Sequence, residues 1–296
     1  MNIGVFELSD PVPEMKNTRV FAMLKPWIDV GRVGTLTLNK IERHFGAKEL
    51  GKLAEPGRYF DFTRYRPYQG YVGGKRDLTI PNTVLNHATD DEGNDYLFVH
   101  IREPHMFGEE YCQSLAELLQ HLNVTEYCRI GGFYDSVPHT RPVIITASFT
   151  DEQTDRVRSL VSPRGNTYQG PTSIINMTAN ILEEAGVQVA SVMAHLPQYA
   201  RLDQDQMGVA RIMEVLCAVY DLPSSLADNT LGKRQYDEIG RAVESNPEVK
   251  ALISQLETYY DRTQSTPDLT ETPQLSPELE SFLKEVSKGL DNPRGQ

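Results

Sequence analysis

Short apolar runs alternate with stretches of helical periodicity over roughly the first two thirds of the chain, and this alternation constrains the fold more than any other feature. A β-rich run at 19–24 (RVFAML) leads through the loop KPWIDVG to a predicted helix over 35–45. Further strands are expected at 60–64, 96–101, 127–130, 143–149 and 187–195. Before 127–130 lies QSLAELLQHL, where Leu115, Leu118, Leu119 and Leu122 return at helical spacing and share one face. Another helix is predicted over 173–185, with Ile174, Ile181 and Leu182 on one side and Gly186 placed to cap its end. Strands covered on both faces read as continuous apolar runs, and parallel neighbours need a crossover helix. The pattern therefore specifies an α/β fold with a mostly parallel mixed sheet.

After Pro197 the strands stop. Val209, Ile212, Met213, Leu216 and Tyr220 form a helical stripe ending at Asp221-Leu222-Pro223, and a second helix is expected near 233–244. A third opens at Asn246-Pro247, an N-cap residue followed by proline at the first helical position, with Val249, Leu252, Ile253, Leu256 and Tyr260 as its face. The predicted organisation is a sheet domain over 1–200, a helical appendage over 201–261, a flexible linker over 262–276 and a tethered amphipathic helix over 277–290. Leu279, Phe282, Leu283 and Val286 lie on the apolar face of that last helix. So short a helix is not stable alone in water, so it is expected to dock on a protein surface.

The 296 residues carry 29 Lys plus Arg against 41 Asp plus Glu, a formal charge of −12. A surface of that sign does not displace counterions from phosphates, so no nucleic-acid partner is expected, nor an anionic membrane. No run approaches the length needed to span a bilayer. Cys112, Cys128 and Cys217 show no CxxC spacing, and the start MNIGVFELSD lacks a basic, apolar leader, so a reducing cytoplasm is expected. Phosphate-loop, dinucleotide, nucleophile-elbow and HExxH patterns are missing; QGYVGGKR at 69–76 is the nearest to a phosphate loop and lacks its first Gly and final Ser/Thr. The seven histidines show no metal-ligand spacing on one element. No catalytic residue, metal or cofactor is assigned.

One segment stands out: Gly131-Gly132-Phe133-Tyr134-Asp135-Ser136-Val137-Pro138-His139-Thr140-Arg141-Pro142, set between two predicted strands. Its glycines permit a positive φ or a close backbone approach, and two prolines hold His-Thr-Arg in a preset shape. Three readings stand. The corner is a rigid connection in which His139 and Arg141 bond to nearby groups; or it captures an anion through those two, aided by Tyr134 and Asp135; or His139 is catalytic. The first is favoured, because the sequence shows no nucleophile or acid beside His139.

SVPHTRP within this segment resembles the signature of the proteasome assembly chaperone family, prokaryotic relatives of the second chaperone in eukaryotic 20S proteasome assembly. Other pieces match that family in order: Trp27-Ile28-Asp29-Val30-Gly31, Phe60-Asp61-Phe62 with Arg64 and Arg66-Pro67, Glu103-Pro104, Tyr168-Gln169-Gly170-Pro171, and Leu196-Pro197-Gln198-Tyr199. The chain departs from the family at Gln198, often His there, and at Ile101, usually Gly. It also ends in Asn292-Pro293-Arg294-Gly295-Gln296 rather than a hydrophobic-Tyr-X tail, so insertion of the tail into proteasome pockets is not expected. The resemblance implies a three-layer phosphorylase/hydrolase-like α/β domain with a C-terminal helical addition, a small homo-oligomer, and a protein-binding or assembly role with the partner undetermined. The alternative is an enzyme or sensor for a small anionic ligand, nucleoside- or phosphate-containing, held at strand ends by Trp27, Asp29, Glu103, Tyr134, Asp135, His139 and Arg141. Against it stands a structural cluster in which Arg141 pairs with Asp29 or Glu103.

Overall fold

The computed structural model describes residues 1–163, 170–244 and 246–265. The predicted helix at 277–290, with Leu279, Phe282, Leu283 and Val286, lies outside the described residues, as do Tyr168 and Gln169.

The first half of the chain contains β1 (Asn2–Ile3), β2 (Phe6–Leu8), β3 (Thr18–Lys25), α1 (Val33–Phe45), β4 (Lys48–Leu53), α2 (Pro56–Tyr59), β5 (Tyr68–Val72), β6 (Lys75–Thr79), β7 (Val84–Thr89), β8 (Asp95–Arg102) and α3 (Gly108–His121). There follow β9 (Val124–Asp135), β10 (Ile145–Ser148), α4 (Asp151–Val157), α5 (Ile174–Glu184), β11 (Gln188–Pro197), α6 (Gln206–Tyr220), α7 (Thr230–Glu244) and α8 (Pro247–Ser265). Among the described residues the main sheet has the order β1-β2-β4-β7-β8-β3-β9-β11-β10, and β5 and β6 form a separate hairpin. The sheet is mixed: β3 runs parallel to β8 and β9, whereas β7 pairs antiparallel with β4 and β8.

Two compact units divide the chain. The first comprises Met1–Asp29, Gly34–Gly131 and Thr167–Ser191, and the second Val30–Val33, Gly132–Asn166 and Val192–Gln296. In the first unit, strand alternation sends Val20, Ala22 and Leu24 of β3 into a core shared with Tyr111, Leu115 and Leu118 of α3 and Ile175, Ala179 and Leu182 of α5. Phe21, between them, takes the other face, where its ring stacks on Tyr96 at 6.1 Å and Tyr96 in turn meets Phe45 of α1 at 4.9 Å. Helices thus cover both faces, as the apolar runs required. Each fully buried Leu or Phe contributes about 1.5–3 kcal/mol through the water it sheds.

The helices fall where their periodicity placed them. Leu115, Leu118, Leu119 and Leu122 are all buried, and Gly186 follows α5 with a φ of 85°. Asn246 caps α8, its Oδ1 accepting the N–H groups of Glu248 and Val249. The strand expected at 60–64 does not form. Pro56 starts the short helix α2, and Asp61 then draws the Thr63 N–H and hydroxyl onto its own Oδ1 at 2.8 and 2.7 Å, which fixes a turn.

Candidate functional site

β9 does not end at Ile130 but continues to Asp135, so the predicted corner opens later than the sequence indicated. Its glycines serve close approach, not a positive φ: a Cβ on Gly131 would lie 2.4 Å from the Ile28 carbonyl oxygen. In the second unit the ends of β9, β10 and β11 bring together Asp135, Thr146 and His195. Asp135 Oδ2 lies 2.8 Å from His195 Nδ1, and His195 Nε2 lies 3.1 Å from the Thr146 hydroxyl. The Phe133 ring covers the imidazole at 4.4 Å. Burial raises the Asp135 carboxyl, but the hydrogen bond and charge of His195, with the Ser136 N–H, outweigh it and hold the group below its ordinary range. In the neutral ring an ionised Asp135 holds the proton on Nδ1, and Nε2 then accepts from Thr146.

Beyond Asp135 the chain turns through Pro138–Arg141, where the Arg141 N–H reaches the Pro138 carbonyl. His139 is buried. Tyr199 accepts the His139 backbone N–H at 2.7 Å, and its hydroxyl lies 2.6 Å from Nδ1. Nε2 is buried with no hydrogen-bond partner among the described residues, and the ring makes T-shaped contacts with Tyr199 at 5.8 Å and Tyr236 at 6.2 Å. Burial pushes the pKa of His139 down, with Glu257 opposing.

Arg141 is engaged by α8. Its Nε and Nη2 donate to the two oxygens of Asp261, both at 2.9 Å, and Nη1 donates to Glu257 at 3.0 Å. Thr140 adds a 2.6 Å hydrogen bond to Glu257, and the Tyr260 hydroxyl donates to the Pro142 carbonyl at 2.9 Å. Three consecutive residues of the segment thereby hold one face of α8. The two carboxylates stand four residues apart, one helical turn, which suits a planar, forked guanidinium. This corrects the expected pairing of Arg141 with Asp29 or Glu103.

The remaining predicted site residues do separate work. Tyr134 stacks under the Arg201 guanidinium at 5.3 Å. In the first unit the Trp27 ring is exposed in the turn after β3. Asp29 accepts the Thr35 N–H and hydroxyl, at 2.9 and 2.5 Å, in the first turn of α1. Glu103 accepts the Ile174 N–H at the start of α5; its other oxygen is buried with no hydrogen-bond partner among the described residues, and burial pushes its pKa up. Thr146, Glu257 and Asp261 were not singled out from sequence, His195 entered only among the seven histidines, and Tyr199 only as the end of the Leu196-Pro197-Gln198-Tyr199 match. Among the described residues no three His, Cys, Asp or Glu side chains group as a metal site would. No helix among them is long and apolar enough to cross a membrane.

The sequence model of the PAC2 family matches residues 23–244. No curated protein matches the sequence. Among solved structures, a protein of unknown function from Corynebacterium glutamicum is similar with a TM-score of 0.75 and 18% identity, over 87% of this chain and 97% of that one. The Mycobacterium tuberculosis unknown function protein Rv2714 is similar with a TM-score of 0.74 and 21% identity, over 97% and 98%. The proteasome-assembly chaperone homologue Rv2125 from the same organism is similar with a TM-score of 0.68 and 21% identity, over 79% and 99%. At such identities the likeness is one of fold.

Proposed function

The chain belongs to the PAC2 family, and from that premise we propose that it is a non-enzymatic, assembly-type protein that binds a protein partner in the cytoplasm and works as a homo-oligomer. The observation that carries this reading is the commitment of Arg141. The cation best placed to recognise an anion gives its guanidinium hydrogen bonds to Glu257 and Asp261, so the segment grips its own helix. His139, buried against Tyr199, adds rigidity rather than a reactive face. The fold shared with a proteasome-assembly chaperone homologue makes proteasome-type components the first partners to test. The test is affinity capture of the tagged protein from its native cell, with mass spectrometry of retained proteins and small molecules, then reconstitution from purified components. A protein retained at fixed stoichiometry that re-forms the complex supports the reading. An equimolar metabolite with no protein overturns it.

A second reading, hydrolytic chemistry, is favoured by one observation, the line from Asp135 through His195 to the Thr146 hydroxyl. A carboxylate that orients an imidazole onto a hydroxyl is the order used in acyl transfer. Covalent labelling of Thr146 by a fluorophosphonate, lost in His195→Ala with folding intact, would support it; an unlabelled Thr146 rules it out.

A further inference from the structure

The first unit holds another histidine backed by a buried carboxylate. Asp95, the first residue of β8, is buried, and its two oxygens accept three donors. These are the Lys16 backbone N–H at 2.9 Å, the Thr89 hydroxyl at 2.9 Å and His87 Nε2 at 2.8 Å. Burial raises the Asp95 carboxyl, but the Lys16 N–H, His87 and Thr89 outweigh it and hold the group below its ordinary range. An ionised Asp95 keeps a proton on Nε2 and leaves Nδ1 as the free ring nitrogen. Nδ1 has no hydrogen-bond partner among the described residues and is not sealed from solvent. His87 lines a cleft of about 350 Å³ with Phe45 from the end of α1, Ser9 and Pro13 from the N-terminal segment, and Lys48 of β4. Lys48 is the register partner of His87 on the adjacent antiparallel strand, so both side chains leave the same face, with Cβ atoms about 4.5–5.5 Å apart. Lys48 is exposed and pairs with no carboxylate among the described residues, whereas Glu49, also in the cleft, is engaged by Lys52 at 3.4 Å.

We propose that this cleft binds the carboxylate of a small organic acid with an apolar or aromatic body, held between Lys48 and His87. Two neighbouring nitrogen donors match the two oxygens of a carboxylate. His87 donates from Nδ1 when doubly protonated, and the Asp95 carboxylate behind it supports that imidazolium. Pro13 and the Phe45 ring give the cleft an apolar wall, which suits hydrocarbon and offers nothing to the further oxygens of a phosphate. The nearby hydroxyls are committed elsewhere, Ser9 to the Leu50 carbonyl at 3.0 Å and Thr89 to Asp95. The arrangement therefore recognises an anion rather than attacking a substrate. It stands at the opposite end of β8 from Glu103, apart from the strand-end residues that the sequence suggested.

Benzoate is the probe, with inorganic phosphate beside it, each titrated into the full chain and followed through the imidazole ¹⁵N signals of His87. Benzoate is expected to bind saturably and to move the Nδ1 signal toward its protonated position. Its binding should tighten as pH falls from about 8 to 6, because anion and proton are taken up together. The titratable groups that face His87 are Lys48 and Glu49 of β4 and Asp95 of β8; α1 and the N-terminal segment present Phe45 and Ser9. Lys48→Met should weaken binding about tenfold or more, the scale of one charge-assisted hydrogen bond. That side chain is exposed, so melting should not change. His87→Gln should weaken binding and remove its pH dependence. The proposal is overturned if benzoate leaves the His87 signals unmoved, if Lys48→Met binds as tightly as the wild type, or if phosphate binds as tightly as benzoate. Capture of a protein partner neither requires nor excludes this site, so this inference and the proposed function fail separately.

Discussion

His139 illustrates how a buried ring turns into a pH-dependent contribution to stability. Burial disfavours its cation, so the unfolded chain takes up this proton at higher pH than the folded one. Its contribution is complete above the ordinary histidine range near about 6.5 and is lost as pH falls toward the lower folded value. We expect the melting temperature to drop between about pH 7 and pH 5, and His139→Gln to flatten that part of the curve. An equal slope in both proteins would show that the ring protonates without penalty. In sequence, His139 was legible as rigidly held by its flanking prolines. Its hydrogen-bond partner was not, because Tyr199 lies sixty residues away.

α8 is held by two different kinds of contact, and they should respond differently to substitution. Its apolar face buries Leu252, Ile253 and Leu256; Leu256→Ala should destabilise the protein by about 2–5 kcal/mol in denaturant titration. Arg141→Ala removes partly exposed ion pairs instead. Its expected signature is faster amide hydrogen exchange along α8, with little change in the denaturation midpoint. Unchanged exchange would mean that the segment does not hold the helix. At this scale the helices were legible because amphipathic periodicity and caps are local. The 60–64 strand was misread because its aromatic run is interrupted by Asp61, whose side chain bonds the backbone two residues on. The hairpin was missed for the opposite reason: Gly73-Gly74 between two short runs is a tight-turn signal, yet the same residues invited comparison with a phosphate loop.

For the whole molecule, net charge sets what the surface meets. At −12 the chain should give no mobility shift with duplex DNA at low salt, and a salt-sensitive shift would show that local cations such as Lys75 and Arg76 override the total. The α/β class, the helical stretch after Pro197 and the family followed from the sequence, because each depends on periodicity or on short motifs in order. The tertiary structure alone decided that Arg141 turns to Glu257 and Asp261, that Asp135, His195 and Thr146 form a line, and that a basic hairpin stands uncovered. Local pattern encodes which face of an element is apolar. Which charged groups then meet depends on where distant strands and helices finally lie, and no short stretch of chain contains that information.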